Sequence, residues 1–213
     1  MATIAVIDYG MGNLHSVARA LNHVAPADRI VVTQRGTDIL AADRVVFPGQ
    51  GAIRDCMREL ARHNLTDIVI EAARNRPFLG LCLGPQALME RSEENGGVDG
   101  LGVLPGESRW FGGILRQSSA TAKLKIPHMG WNRVHQTRPH ALWEGIPQDS
   151  RFYFVHSYYL APGDPALTAA TTDYGIPFVS VIARDNLFAV QFHPEKSARW
   201  GLQLLANFSR WRP

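Results

Sequence analysis

Residues 78–86 read Phe78-Leu79-Gly80-Leu81-Cys82-Leu83-Gly84-Pro85-Gln86. An apolar run of strand length ends in a G-x-C-x-G turn, and Pro85 falls where the first turn of a helix tolerates a missing N–H. This is the pattern of a nucleophile elbow with cysteine in place of serine: a strand turns sharply into a helix and leaves one side chain at the corner. Glycines bracket the corner because neighbouring backbone must pass close to it. A thiol there meets unpaired N–H groups and the positive end of the helix dipole, which favour the thiolate. Cys82 is therefore the candidate nucleophile, and an elbow of this kind belongs to an α/β sheet.

The flanking sequence agrees. Thr3–Asp8 is a short β-branched run closed by Tyr9-Gly10-Met11-Gly12, and Asn13 can cap a helix with apolar positions Leu14, Val17, Ala18, Leu21 and Val24. Further strands are predicted at Arg29–Thr33 and Arg44–Phe47, and helices at Ile53–His63 and Leu65–Asn75. Strands separated by helices imply βαβ units and a parallel sheet. The second half changes character. Glu107–Gly113 and Trp131–Val134 look like short, irregular strands, and Arg151–Val155 alternates with aromatics. Phe178–Ala183 and Leu187–Phe192 flank Asp185-Asn186 as a hairpin, before an amphipathic helix from Ser197 to about Trp211. The expected fold is one α/β domain over residues 1–213: an open, mostly parallel twisted sheet flanked by helices, with an antiparallel extension in the C-terminal half.

Composition narrows the function classes. The 213 residues are 46% hydrophobic and 19% charged, which is globular and excludes disorder and coiled coil. The net charge of +3 comes from 22 basic and 19 acidic residues. Its arginines are scattered with no basic run of four, so a surface tracking nucleic-acid phosphates is not indicated. No apolar run approaches the roughly 18 residues of a membrane span, and the N-terminus reads as a strand rather than a signal segment. A cytoplasmic protein with neither membrane nor nucleic acid as partner is expected. Cys56 and Cys82 cannot form a disulfide framework; Cys56 lies in the helical pattern Ile53, Cys56, Met57, Leu60 and reads as a packed thiol. No histidine, cysteine or acidic spacing resembles a metal site, and the G-x-G that begins at Gly10 lacks its third glycine, His15 standing there. No metal or other cofactor is expected.

A cysteine nucleophile needs a base, and the base an orienting group. Of eight histidines, His193 alone is followed two residues later by a carboxylate just after a strand, in Gln191-Phe192-His193-Pro194-Glu195. In an extended segment that spacing puts both side chains on one face, and the residue before a proline is biased towards extension. Glu195 can then hold His193 in one tautomer. Phe47-Pro48-Gly49-Gln50-Gly51-Ala52 supplies two glycines at another strand-to-helix corner. That loop can complete an oxyanion hole begun by the N–H of Leu83. His128 and His156 sit among aromatics and could be structural or line a site.

Together, Gly-Leu-Cys-Leu-Gly and Phe-His-Pro-Glu resemble the two signatures of the class I (triad) glutamine amidotransferases, whose triad is Cys-His-Glu. The resemblance implies that Cys82, His193 and Glu195 hydrolyse L-glutamine through a thioester, and that Gly49, Gly51, Gln86, Ser157 and Tyr158 help hold it. Three further stretches, Ile7–Leu14, Lys125–Asn132 and Phe152–Tyr159, are similar to one branch of that family. In that branch ammonia passes through a channel to a separate cyclase subunit with a (β/α)8 barrel, in a heterodimer. The likeness implies a partner-facing surface from residues 8–13, 125–132 and Lys196, although Met129 and Trp131 could equally fill a core. A cysteine peptidase or γ-glutamyl hydrolase acting alone on the same fold is the alternative reading.

Overall fold

In the computed structural model, which describes residues 1–117, 119–121 and 123–213, the first half alternates strand and helix as the sequence predicts. In chain order it contains β1 (Thr3–Ile7), α1 (Leu14–Val24), β2 (Arg29–Thr33), α2 (Gly36–Ala41), β3 (Arg44–Gly49), α3 (Ile53–Arg62), α4 (Thr66–Asn75), β4 (Phe78–Cys82) and α5 (Leu83–Leu88). The second half adds β5 (Met89–Ser92), β6 (Val98–Asp99), β7 (Leu104–Trp110), α6 (Phe111–Leu115), β8 (His128–Arg133), β9 (His135–Gln136), β10 (Arg151–His156), β11 (Tyr158–Pro162), β12 (Thr168–Asp173), β13 (Pro177–Arg184), β14 (Leu187–Val190) and α7 (Ala198–Arg210).

Among the described residues one large sheet runs β2-β1-β3-β4-β14-β13-β11-β7-β5-β6, with β12 attached to β13 and β9 to β12. The run from β2 to β14 is parallel. From β14 through β13 and β11 to β7 the pairing is antiparallel, the extension expected from the hairpin signals. β8 and β10 form a separate antiparallel pair.

The parallel strands read as continuous apolar runs because both faces are covered. Alternate residues feed two cores. Ile4, Val6, Val46 and Leu79 pack with Leu21 of α1 and Leu204 and Phe208 of α7. Ile7, Val45, Phe47 and Phe78 pack on the other face with Ile53 and Leu60 of α3 and Val69 of α4. α2 was not predicted; one turn and a half, with Ile39 as its one buried side chain, carries too little periodicity to be seen. Asn13 does precede α1, but makes no side-chain capping bond. Its backbone (φ −87°, ψ 56°) lies outside the extended region from which an N-cap side chain reaches the helix N–H groups.

The end of β4 is a tight joint. A Cβ placed on Gly84 would stand 2.5 Å from the Phe47 carbonyl oxygen, and one on Gly80 3.2 Å from Ala189 Cβ. Substituting Gly84 by alanine sets a helix-propensity gain of about 1 kcal/mol against an overpacking cost of about 1–3 kcal/mol on rigid backbone. Gly84→Ala is therefore expected to lower the urea midpoint of unfolding. Gly113→Ala in α6, where a Cβ would meet nothing within 4 Å, should leave it unchanged or raise it.

Candidate active site

The turn after β4 places Cys82 in the corner that the sequence anticipates. Its backbone has φ 54° and ψ −92°, a region non-glycine residues rarely occupy, and α5 begins at the next residue. The Leu83 N–H thus belongs to the free first turn of a helix. Cys82 is 6% exposed, and its Sγ–H points to the Val155 carbonyl at 3.9 Å.

His193 follows β14 in an extended conformation, φ −104° and ψ 96°, and Pro194 starts a single helical turn that carries Glu195. The backbone N–H of His193 donates to the Tyr153 carbonyl at 2.9 Å, fixing the segment against β10. His193 Nδ1 lies 2.9 Å from Glu195 Oε1, with both side chains almost wholly buried. The carboxylate can only accept, so Nδ1 carries the proton. Nε2 is buried and makes no hydrogen bond. Cys82 is near enough to this ring to favour its charged form. Burial works against the charged imidazole, but pairing with Cys82 and with Glu195 outweighs it and raises the His193 pKa to about 10.

These side chains open onto a cleft of about 460 Å³, room for a small polar substrate. Gln50, Gly51, Leu83, Gln86, His156, Ser157 and Tyr158 line it with Cys82 and His193. Gly49 lies beneath that surface rather than on it. It pairs with Cys82 across β3 and β4, and a Cβ there would meet Tyr9 Oη at 2.7 Å and Leu83 Cβ at 2.8 Å. Gly51 has a positive φ of 93°, a conformation that glycine adopts readily. Lys196 reaches the rim of the cleft. Met129 and Trp131 are 61% and 48% exposed, so they do not fill a core. Cys56 is fully buried, and burial pushes its thiol up to about 12, so the two cysteines differ in kind. Among the described residues no cluster of histidine, cysteine and acidic side chains could hold a metal ion.

Two features escaped the sequence reading. Gln191, fully buried, donates from Nε2 to the Cys82 carbonyl at 3.1 Å and accepts from Gln86 Nε2 at 3.2 Å. Its signal was a lone polar residue between the apolar Val190 and Phe192. Glu94 also lines the cleft, and its carboxylate accepts the Ile53 N–H at 3.0 Å, tying the Glu94–Gly96 turn to the start of α3. Nothing in the local sequence announces a contact across 41 residues.

The family model for glutamine amidotransferase class-I matches residues 5–210. The chain is 60% identical to the imidazole glycerol phosphate synthase subunit HisH of Nitrosococcus oceani, over 99% of this chain and 98% of that one. It is 57% identical to the subunit of the same name from Aromatoleum aromaticum, over the full length of both. Among solved structures, a glutamine amidotransferase aligns over 97% of both chains with a TM-score of 0.70 at 15% identity. A putative GMP synthase protein from Thermoplasma acidophilum aligns over 98% of this chain and 92% of its own, with a TM-score of 0.69 at 20% identity. At such identities the structures show the shared fold.

The charge of His193 can be measured directly. Its raised pKa means that the protonated form is the one folding stabilises. That stabilisation is fully present below the unfolded value near 6.5 and is lost as pH rises through about 10. In a nitrogen-15 NMR titration the His193 ring should remain protonated at pH 8. In Cys82→Ala and in Glu195→Gln its midpoint should fall, and with both changes, burial alone remaining, it should drop below the ordinary histidine value.

Proposed function

The chain belongs to the class-I glutamine amidotransferase family, and from that premise we propose that it is the glutaminase subunit of an imidazole glycerol phosphate synthase, acting in histidine biosynthesis. The whole of residues 1–213 serves as one glutaminase domain. The observation that carries the mechanism is His193, bonded to Glu195 through Nδ1 and lining, together with Cys82, a cleft of substrate size.

The Cys82 sulfur attacks the side-chain amide carbon of L-glutamine. The negative charge that develops on the amide oxygen is met by the N–H of Leu83 and by the Gly49–Gly51 loop. One donor in such a hole is worth about 10²–10³ in rate. His193 gives its proton to the departing amine, so that ammonia leaves and a cysteinyl thioester remains. A water then attacks the thioester carbon, yielding its proton to His193, and glutamate departs as the thiol is restored. Glu195 keeps the imidazole in one tautomer and balances its charge throughout. Gln86, Ser157 and Tyr158, with Gly51 and the Gly49 beneath it, hold the glutamine.

Ammonia released to bulk water would be protonated and lost as a nucleophile, so the product must be delivered rather than diffuse. The receiving protein is a cyclase subunit with a (β/α)8 barrel, forming a heterodimer over the cleft. It turns the ammonia and a phosphoribulosyl formimino aminoimidazole carboxamide nucleotide into imidazole glycerol phosphate and aminoimidazole carboxamide ribotide. Met129 and Trp131, the loop of residues 8–13 and Lys196 provide the surface around the cleft that it covers. Among the described residues no helix is long and apolar enough to cross a membrane, and the reaction is cytoplasmic.

Replacing Cys82 by alanine in the assembled synthase should lower glutamine-dependent product formation by at least about 10³-fold. Ammonium salts at alkaline pH should still support synthesis by the cyclase. Glutamine hydrolysis that survives the substitution would defeat the reading.

A further inference from the structure

A buried polar chain leads away from the cleft, and its two histidines play no part in the chemistry above. Its starting point is the Tyr158 backbone carbonyl, on the cleft wall. His156 Nδ1 lies 2.7 Å from that oxygen, and His156 Nε2 lies 2.9 Å from His128 Nδ1. His128 Nε2 in turn lies 3.2 Å from Asn132 Nδ2, which also donates to the Asp173 carbonyl of β12 at 2.8 Å. In the other direction, Gln86 Nε2 donates to the Tyr158 carbonyl at 3.5 Å and to Gln191 Oε1 at 3.2 Å, and Gln191 Nε2 to the Cys82 carbonyl at 3.1 Å.

One proton arrangement satisfies the histidine branch. A carbonyl only accepts, so His156 carries its proton on Nδ1 and offers Nε2 as acceptor. His128 must then donate from Nδ1, which leaves its Nε2 to accept from Asn132. Both rings are neutral in this arrangement. Burial favours that state, lowering His156 to about 3 and His128 to about 4. His128 itself is 3% exposed and does not reach the cleft. Its ring is stacked between Phe154 (centroids 4.9 Å, 27°) and Tyr174 (4.1 Å, 29°), so aromatic packing fixes the ring plane and the nitrogens fix its direction. A structural filler at this position would need the ring but neither nitrogen.

We propose that His128 and His156 are positioning residues of the glutamine site: the imidazole pair holds the Tyr158 carbonyl and, through Gln86 and Gln191, ties the Cys82 carbonyl to β8. The inference rests on the glutaminase reading, because the wall it positions is the one that receives glutamine. The two ends of the chain are the two parts whose separation matters, the nucleophile's own peptide and the wall opposite. Loss of the pair frees Tyr158 and Gln86 to shift relative to Cys82, which weakens recognition of glutamine more than it changes the reactivity of the thiol.

His128→Phe keeps the aromatic stack and removes both nitrogens. With the cyclase subunit present, Cys82 labelling by a glutamine-analogue diazo ketone and by iodoacetamide would be followed by mass spectrometry. In His128→Phe the analogue's second-order rate should fall about tenfold, the scale of a buried acceptor left unpaired, through weaker saturation rather than a slower limiting rate. The iodoacetamide rate should stay within about twofold, because that small reagent needs no wall to hold it. His128→Asn, whose amide nitrogen falls near the Nδ1 position, should recover part of the loss. Unchanged analogue labelling would overturn the proposal, as would an equal fall with both reagents. Should His128→Phe not fold, Asn132→Ala removes the donor to Nε2 from the half-buried end of the chain and should give a smaller loss of the same kind. Wild-type protein that the analogue fails to label would defeat the glutaminase reading itself, and the proposal with it.

Discussion

Cys82 sits at φ 54°, ψ −92°, and much of the surrounding structure serves to keep it there. A non-glycine residue in such a region costs of order 1–3 kcal/mol and persists only where its neighbours over-determine it. They do so from three sides. β3 and β14 flank β4 in parallel register, with Gly49 opposite Cys82 and Val190 opposite Leu81. Gly80 and Gly84 allow Ala189 and the Phe47 carbonyl to approach where a side chain would collide. Gln191 takes up the Cys82 carbonyl. The corner forces α5 to begin at Leu83, and that leaves an N–H unpaired beside the sulfur. Strain at one residue and a free donor at the next are two results of the same turn.

The charges of two histidines on one cleft follow from their partners. His193 and His156 are both deeply buried, and burial by itself neutralises each. His193 faces a carboxylate and a sulfur, and the opposed charges outweigh the desolvation. His156 faces a carbonyl and another imidazole, and the cation of His193 lowers it further. Near neutral pH one ring is therefore a proton donor, while the other is a fixed dipole. Two like groups are thus divided by their environments into one charged ring and one neutral one.

How much of this was legible follows from the range of each contact. The elbow, the strands and the longer helices of the first half and the His193–Glu195 spacing are local, and residues within ten positions of one another disclose them, α2 being too short to show. Gly49 and Gly51 were readable as two glycines at one strand-to-helix corner. The long-range order of the sheet was not: β14 reaches β4 from 109 residues away, by the separation of Gln191 and Cys82. No local pattern records that β13, β11 and β7 continue the sheet beyond it. Gln191 is the instructive case. Its place one residue past β14 and two before His193 was plain, but its partner became visible only when β14 lay beside β4. The His128–His156 pair was hidden in the same way, since it needs the register of β8 on β10 that sets those two residues opposite each other.

That register also explains why β8 reads poorly as a strand and serves two surfaces. Successive side chains on a strand point to opposite faces. His128 and Asn132 turn inwards to the polar chain, while Met129 and Trp131 turn out to solvent beside the cleft. An apolar outer face and a polar inner face invert the usual amphipathic pattern, so neither a core strand nor a solvated edge describes it. The inversion has a physical rationale at each position. Large apolar side chains held at the surface gain nothing from folding and are stable there only because the strand's inner face is anchored by hydrogen bonds and aromatic stacking instead. The same anchoring keeps β8 in place although it pairs with a single neighbour, β10. The outer residues are thereby presented to solvent on a strand whose inner face is fixed.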